Sequence, residues 1–104
     1  MAALPPVRVS HPHVELTEGL TGSPYVRGTR VPVRRLYAWH RRGTTVETLL
    51  KRYPTLGVAR LFDALAFAYD NMELVEADLA REQALLAADS EASPAPTQQE
   101  KLRF

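Results

Sequence analysis

The chain carries most of its cationic side chains in one half. Residues 1–60 hold ten arginines and lysines against three glutamates, a net charge of +7, whereas residues 61–104 have a net charge of −6. Guanidinium and ammonium groups donate charge-assisted hydrogen bonds to phosphate oxygens, so such an excess predicts nucleic acid as a partner. The residues expected to contact it are Arg27, Arg30, Arg34, Arg35, Arg41, Arg42, Lys51 and Arg60. A second interpretation stays open, in which the two halves attract each other within one chain or across a dimer.

Sequence-specific reading of bases has weaker support. The helix that would enter a major groove, over residues 58–70, offers Arg60 as its best base-contacting side chain among many alanines. Base edges are usually read by Arg, Lys, Asn or Gln on the inserted helix. The pattern therefore predicts DNA binding through phosphate contacts, with modest specificity.

The sequence offers few residues for metal binding or for catalysis. The chain has no cysteine, and its three histidines, His11, His13 and His40, come from two distant segments. A metal site would need a rigid frame for all three imidazoles, so we expect no metal and no cofactor. The sequence has no nucleophile with a recognisable neighbouring base and no phosphate-binding glycine loop, so it predicts neither an enzyme nor a small-molecule substrate.

The elements that must position these side chains begin with short strands. Residues 7–9 and Val14–Leu16 alternate apolar and polar side chains, which predicts two strands. A tight hairpin is predicted around Gly28, with arms at residues 24–26 and 30–31, because glycine accepts a positive φ. Strands this short are unstable alone, so they must pair with each other or with a second copy, and we expect pairing across a dimer.

Helical periodicity follows the hairpin. Pro32 suits the start of a first helix from Val33, and Gly43 ends that helix. Capping boxes at residues 44–47 and 70–73 predict the starts of a second helix, stopped by Pro54, and of a fourth helix through about residue 88. The third helix is expected to bury one apolar stripe. The members of that stripe are Val58, Leu61, Phe62, Leu65, Ala66 and Tyr69.

Together these elements predict a mainly α fold, with short N-terminal β-strands forming a hairpin, a tri-helical helix-turn-helix core and a fourth C-terminal helix. Residues 1–6 are expected to be a flexible arm, residues 7–88 a single domain, and residues 89–104 a disordered C-terminal tail rich in Ser, Pro and Gln. The candidate partner-binding side chains are Leu79, Leu86, Leu102 and Phe104.

A motif joins the hairpin to the helices. It reads G-x-P-x-V-x-G-T-R-V-P-V over residues 22–33, followed by Gly43, by Y-P-x-L at residues 53–56 and by A-L-A-x-A-Y at residues 64–69. On these residues the chain resembles a bacterial family of small proteins, long filed as a domain of unknown function. Its members resemble helix-turn-helix proteins of winged-helix-like or homeodomain-like type, and many are encoded beside PIN-like ribonuclease toxins. The resemblance therefore implies an antitoxin.

Charge and resemblance together predict a DNA-binding homodimeric regulator, the antitoxin of a type II pair that neutralises a PIN-like ribonuclease toxin. Two other classes remain open. One is a non-enzymatic interaction or scaffold module that dimerises and recruits a partner without sequence-specific DNA binding, and the other is an RNA- or nucleoid-associated binder without sequence choice. The sequence starts without a signal-peptide pattern and has no apolar run of membrane-spanning length, so we expect no membrane partner and a cytoplasmic location.

Overall fold

Four helices follow a two-stranded hairpin in the computed structural model, which describes residues 4–17 and 22–92, with side chains as far as residue 88. The strands are β1 (Val14–Leu16) and β2 (Pro24–Val26). The helices are α1 (Val33–Arg41), α2 (Val46–Arg52), α3 (Gly57–Asp70) and α4 (Met72–Ala92). The predicted mainly α fold with an N-terminal hairpin is confirmed.

The two strands pair with each other within one chain. They are antiparallel, with Val14 opposite Val26. The turn after β2 is the predicted one: Gly28 has φ +80°, and the Thr29 N–H donates to the Val26 carbonyl at 3.0 Å. Beyond this turn the chain makes a single bridge, Tyr25 opposite Pro32, rather than the predicted second arm. The two strands thus pair with each other within one chain, and pairing with a second copy stays a prediction.

Residues 7–9 do not form the predicted strand. The backbone N–H groups of Arg8 and Val9 both donate to Oδ1 of Asn71, at 2.6 and 2.9 Å. A side-chain amide therefore supplies the partners that a neighbouring strand would have supplied. Leu4 and Val7 pack against the core, so the predicted flexible arm is in contact with the domain at Leu4.

Helix α1 begins and ends where the sequence predicts. Pro32 is its N-cap residue, and Gly43, with φ +96°, follows its C-terminal end in a left-handed conformation that glycine accepts without strain. The helical spacing of Val33, Leu36, Tyr37 and His40 predicts one stripe toward the core; the first three are fully buried, whereas His40 is half-buried.

Both predicted capping boxes are wrong. Helix α2 is capped by Thr45, whose Oγ1 accepts from the Thr48 N–H at 3.1 Å. The preceding Thr44 belongs to the end of α1, because its N–H donates to the Trp39 carbonyl. At α4, the predicted capping residue Asp70 is the last residue of α3, and its carboxylate is bonded to His11 instead.

The core lies where α1 packs against α3 and α4, with α2 and β1 also on α3. Helix α3 buries a different stripe from the one predicted. Leu61 and Leu65 are buried as expected, but Val58, Phe62 and Tyr69 are 55%, 53% and 44% exposed. Because α3 is apolar on nearly all sides, its periodicity allowed two stripes, and packing against the other helices selects one. The buried members are Leu61, Ala64, Leu65, Phe67 and Ala68.

Helix α4 extends to Ala92, beyond the predicted end near residue 88. The rest of the predicted tail, including the candidate partner residues Leu102 and Phe104, lies outside the described residues. None of the helices in the described ranges combines the length and the hydrophobicity needed to cross a membrane.

Candidate nucleic-acid interface

Three of the eight predicted nucleic-acid contacts are engaged in ion pairs with acids of their own chain. Arg27 is paired with Glu15 at 3.2 Å, and Arg41 with Glu76 at 3.1 Å. Both pairs are well exposed, so a phosphate could compete for these two guanidinium groups. The third residue, Arg34, differs from these two because its side chain is largely buried.

Arg34 is bound between two carboxylates of α4. Its Nη1 donates to Asp78 at 3.1 Å and its Nη2 to Glu82 at 3.0 Å, and its side chain is only 13% exposed. Burial by itself lowers the pKa of Arg34, but the hydrogen bonds to Glu82 and Asp78 outweigh it and raise the pKa above its ordinary value. This guanidinium is not accessible to phosphate, so the predicted contact at Arg34 does not fit the structure.

Arg41 belongs to a second connection between α1 and α4. Its guanidinium lies 5.7 Å from the centre of the Tyr37 ring, and the Tyr37 hydroxyl donates to Glu76 at 2.5 Å. Burial, followed by the bond to Glu76, raises the pKa of Tyr37. The charge division seen in the sequence is therefore satisfied in part by attraction between α1 and α4 within one chain.

Another side of α1, about 100° around the helix from Arg34 and Arg41, carries cations that have no such partners. Arg35, Trp39 and Arg42 lie at i, i+4 and i+7, which places them on one face of the helix. The guanidinium of Arg52, from α2, lies 4.4 Å from the centre of the Trp39 ring. Arg35, Arg42 and Arg52 are exposed, and none of them has an ion-pair partner among residues 4–17 and 22–92. We refer to Arg35, Trp39, Arg42 and Arg52 as the Trp39 face.

The remaining predicted cations are less closely grouped. Arg30 and Lys51 are exposed, and in the described part of the chain neither is ion-paired. Arg60 is half-buried, and at 3.6 residues per turn it lies about 160° around α3 from the exposed Phe62. Its predicted role as the base-reading residue has no support from this position, because it does not lie on the outward side of the helix.

Arg52 was not among the predicted contacts. Its position in the sequence of α2 did not indicate this role, because only the packing of α2 beside α1 brings its guanidinium over Trp39.

The two predicted partner-binding residues on α4 differ in exposure. Leu79 is half-buried and packs against the core, whereas Leu86 is 60% exposed.

His11 forms a clamp between the N-terminal segment and α3. Its Nδ1 is 2.8 Å from Asp63 and its Nε2 is 2.8 Å from Asp70, while the ring meets Phe67 edge-on. The hydrogen bond to Asp63 is the main cause that raises the pKa of His11, against the opposing effect of burial. Burial would raise the pKa of Asp63, but hydrogen bonds from His11 and from the His13 N–H lower it below its ordinary value. Across the described residues, no group of three or more His, Asp or Glu side chains is arranged to hold a metal ion.

The family described as "Protein of unknown function (DUF433)" matches residues 17–68. That segment is half of the 104-residue chain. The chain belongs to the DUF433 family. No curated protein and no solved structure matches it.

The DUF433 segment contains the Trp39 face and nearly all of α3, but neither His11 nor α4. The motif identified in the sequence over residues 22–33 lies inside it. The acids that hold Arg34 and Arg41 are therefore outside the DUF433 segment, while the unpaired cations of the Trp39 face are within it.

The His11 clamp predicts that stability depends on pH. Because the pKa of His11 is raised above 6.5 on folding, its stabilisation is complete below about that pH and is lost as the pH rises through the raised value. The lowered pKa of Asp63 contributes stability above 3.8 that is lost as the pH falls through its folded value. Stability from this clamp should be greatest between these limits. A loss of roughly 1 kcal/mol at high pH would lower the melting temperature by about 4–8 °C.

The measurement is thermal unfolding of the parent and of His11→Gln from about pH 5 to pH 9. The parent should lose stability relative to the variant as the pH rises. His40→Gln, which removes an imidazole that is bonded to the Tyr69 hydroxyl, is the matched control. Parallel curves for the parent and His11→Gln would show that His11 does not titrate with folding.

Proposed function

We propose that this chain is a DNA-binding homodimeric regulator, and that it acts in the cytoplasm as the antitoxin of a type II pair whose toxin is a PIN-like ribonuclease. The observation that carries the DNA-binding part is the Trp39 face. There three exposed arginines have no described ion-pair partners and one of them, Arg52, stacks on the Trp39 ring, while the other α1 arginines are held by α4.

Each arginine of the Trp39 face presents a planar fork of N–H donors that fits a phosphate in bidentate geometry. Arg35 and Arg42 lie one behind the other along α1, so they can follow a phosphate backbone, and Arg52 extends the row onto α2. Stacking on Trp39 orients the Arg52 guanidinium and lowers the entropy lost when it binds. Arg30 and Lys51 add charge nearby in the sequence.

Phosphate contacts fix the position of a protein on DNA but carry no sequence information. The outward side of α3, the helix that would enter the major groove in a helix-turn-helix, presents Val58, Phe62 and Tyr69. These side chains offer little for recognition of base edges. We therefore expect affinity to come from the backbone and specificity to be modest.

The antitoxin part of the proposal rests on the resemblance of the motif at residues 22–33 to a family whose members are often encoded beside PIN-like toxins. In this chain the distal end of α4 offers exposed apolar side chains for a toxin contact, with Leu85 at 58% and Leu86 at 60% exposure. The test is co-expression with a PIN-like protein encoded beside this chain. Rescue of growth by the parent, and its loss with Leu86→Glu, is the expected result.

A second candidate is an interaction module that binds no nucleic acid. The observation that favours it is the same apolar outward side of α3, which fits a protein partner better than a groove. The two candidates differ in whether the Trp39 face binds nucleic acid at all.

The deciding experiment measures binding over a series of salt concentrations. The three ligands are DNA from upstream of the gene that encodes this chain, a random DNA duplex and RNA. For the parent, log K should fall linearly with log salt, with a slope of about 0.9 per neutralised phosphate. Arg35→Ala, Arg42→Ala and Arg52→Ala should each weaken binding to every duplex and reduce the slope by about one. Arg8→Ala removes the same charge from an exposed position outside the Trp39 face, where Arg8 is paired with Glu73, and is the matched control.

Absence of binding at low salt, or the same slope in all four variants, would favour the interaction module. Equal binding to DNA and RNA would favour the third class, a nucleic-acid binder without sequence choice. Tighter binding to upstream DNA than to random duplex supports the regulator.

A further inference from the structure

The outward side of α3 is an apolar surface that the described part of the chain leaves largely uncovered, although at its C-terminal end the Tyr69 ring meets Tyr37 and His40 of α1 edge-on. Val58, Phe62 and Tyr69 are 55%, 53% and 44% exposed, and Ala59 and Ala66 between them are also exposed. At 3.6 residues per turn these five positions fall within an arc of about 100°. We refer to them as the α3 stripe.

The large and small members of the α3 stripe alternate in a self-complementary order. If two copies of α3 run antiparallel and cross at the level of residue 64, Phe62 of one copy faces Ala66 of the other. In the same register Tyr69 faces Ala59. Each ring then meets a methyl group and never another ring, which is the arrangement that lets two helices interdigitate closely. A two-fold axis repeats both contacts, as an isologous interface requires.

The polar groups at the edge of the stripe are already satisfied. The Tyr69 hydroxyl is hydrogen-bonded to Nδ1 of His40 at 2.8 Å. Asp63 and Asp70, beside the stripe, are both bonded to His11. Burying the stripe would therefore not leave the Tyr69 hydroxyl without a partner, and Asp70, which is half-exposed beside the stripe, would keep its bond to His11.

We propose that the α3 stripe is a homodimer interface, in which α3 packs antiparallel on α3 of a second copy. The α3 stripe is then the surface through which the proposed homodimer forms, and the two copies associate whether or not nucleic acid is bound. Arg35 and Arg42 of the Trp39 face are exposed, and α1 packs on α3 through its buried side, so the dimer leaves these cations open.

The size of the stripe sets the expected strength. A fully buried aromatic side chain covers about 150–250 Å², so two half-exposed rings with Val58 and the alanines offer on the order of 300–400 Å² per copy. A standard specific interface buries about 800 Å² per partner. The dimer should therefore be weak, with a dissociation constant on the order of micromolar and rapid exchange with monomer.

Sedimentation velocity across a concentration series, without nucleic acid, tests the surface. Phe62→Ala removes the ring, and Ala66→Phe sets two rings against each other, so each should weaken association by about thirty-fold, as for an interface hot spot. The double variant Phe62→Ala with Ala66→Phe exchanges the large and small positions. It should recover most of the parent association, because the ring at position 66 then faces the methyl group at position 62 of the other copy.

Leu86→Glu is the control on another exposed apolar position, and it should leave association unchanged. Both substituted α3 positions are exposed, so circular dichroism melting should remain close to that of the parent. A parent that stays monomeric through the series would overturn the proposal. So would association lost in Leu86→Glu, or a double variant no stronger than the singles, because either places the interface or its register elsewhere.

Discussion

Replacing Asp78 with alanine should lower the free energy of unfolding by about 3–5 kcal/mol, the range observed when one partner of a buried ion pair is removed. The Asp78 side chain is 2% exposed, and its two oxygens accept hydrogen bonds from three side chains. Ser23 Oγ donates at 2.7 Å, Arg34 Nη1 at 3.1 Å and Arg81 Nη2 at 2.9 Å. Without the carboxylate, the positive charge of Arg34 remains largely buried with Glu82 as its remaining described ion-pair partner.

Urea unfolding of the parent and of Asp78→Ala measures this loss as a lower midpoint at unchanged slope. Glu73→Ala is the control, because it breaks an ion pair with Arg8 in which both side chains are more than half exposed, and it should change stability by less than about 0.5 kcal/mol. A loss for Asp78→Ala as small as that of the control would mean that water reaches Arg34 and replaces the carboxylate.

The elements that the sequence predicted well are those set by local chemistry. The turn at Gly28 and the end of α1 at Gly43 both need a positive φ, and both glycines have one. The start of α1 follows from the fixed φ of Pro32 and from an apolar stripe that has only one possible face. Such features depend on residues within a few positions of each other, so they are readable without the fold.

The two stripes of α3 show that helical periodicity alone does not determine which face of the helix is buried. Val58, Phe62 and Tyr69 satisfy the same helical period as Leu61 and Leu65, and nothing in the spacing ranks one set above the other. The choice is made by which neighbours cover the helix, and that is a property of the assembled core. The stripe left outside is the one on which the dimer proposal rests.

Arg34 and Arg35 show the same limit for the candidate site. They are adjacent in the sequence and equally plausible as phosphate contacts, but successive residues point about 100° apart on a helix. Arg34 therefore meets the acids of α4, whereas Arg35 lies on a different side of the helix with Arg42. The pairing between α1 and α4 was open as an interpretation of the charge division, but which arginines it involved required the packing of the two helices.

Asn71 lies inside the box predicted to cap α4, at residues 70–73, but its side chain holds the N-terminal segment, and its replacement should have the second large effect. The residue is 1% exposed and makes four side-chain hydrogen bonds. Oδ1 accepts from the N–H groups of Arg8 and Val9, and Nδ2 donates to the carbonyls of Val9 and Phe67 at 2.8 and 2.9 Å. Asn71→Ala should cost about 2–4 kcal/mol, because several groups lose partners while water can reach those at the exposed Arg8 and Val9.

Asn71→Asp separates the two halves of this network. A carboxylate can still accept from the Arg8 and Val9 N–H groups, but it cannot donate, and it would face the carbonyl oxygens of Val9 and Phe67. At neutral pH we therefore expect Asn71→Asp to be at least as destabilising as Asn71→Ala. Burial and the facing carbonyls favour the protonated form of the carboxyl group, so acidification should restore one donor and reduce the loss relative to the parent. Urea unfolding of both variants at about pH 7 and pH 4.5 tests this difference. If Asn71→Asp matched the parent at neutral pH, the amide donors to Val9 and Phe67 would contribute nothing, and only the acceptor oxygen would hold the N-terminal segment on α3.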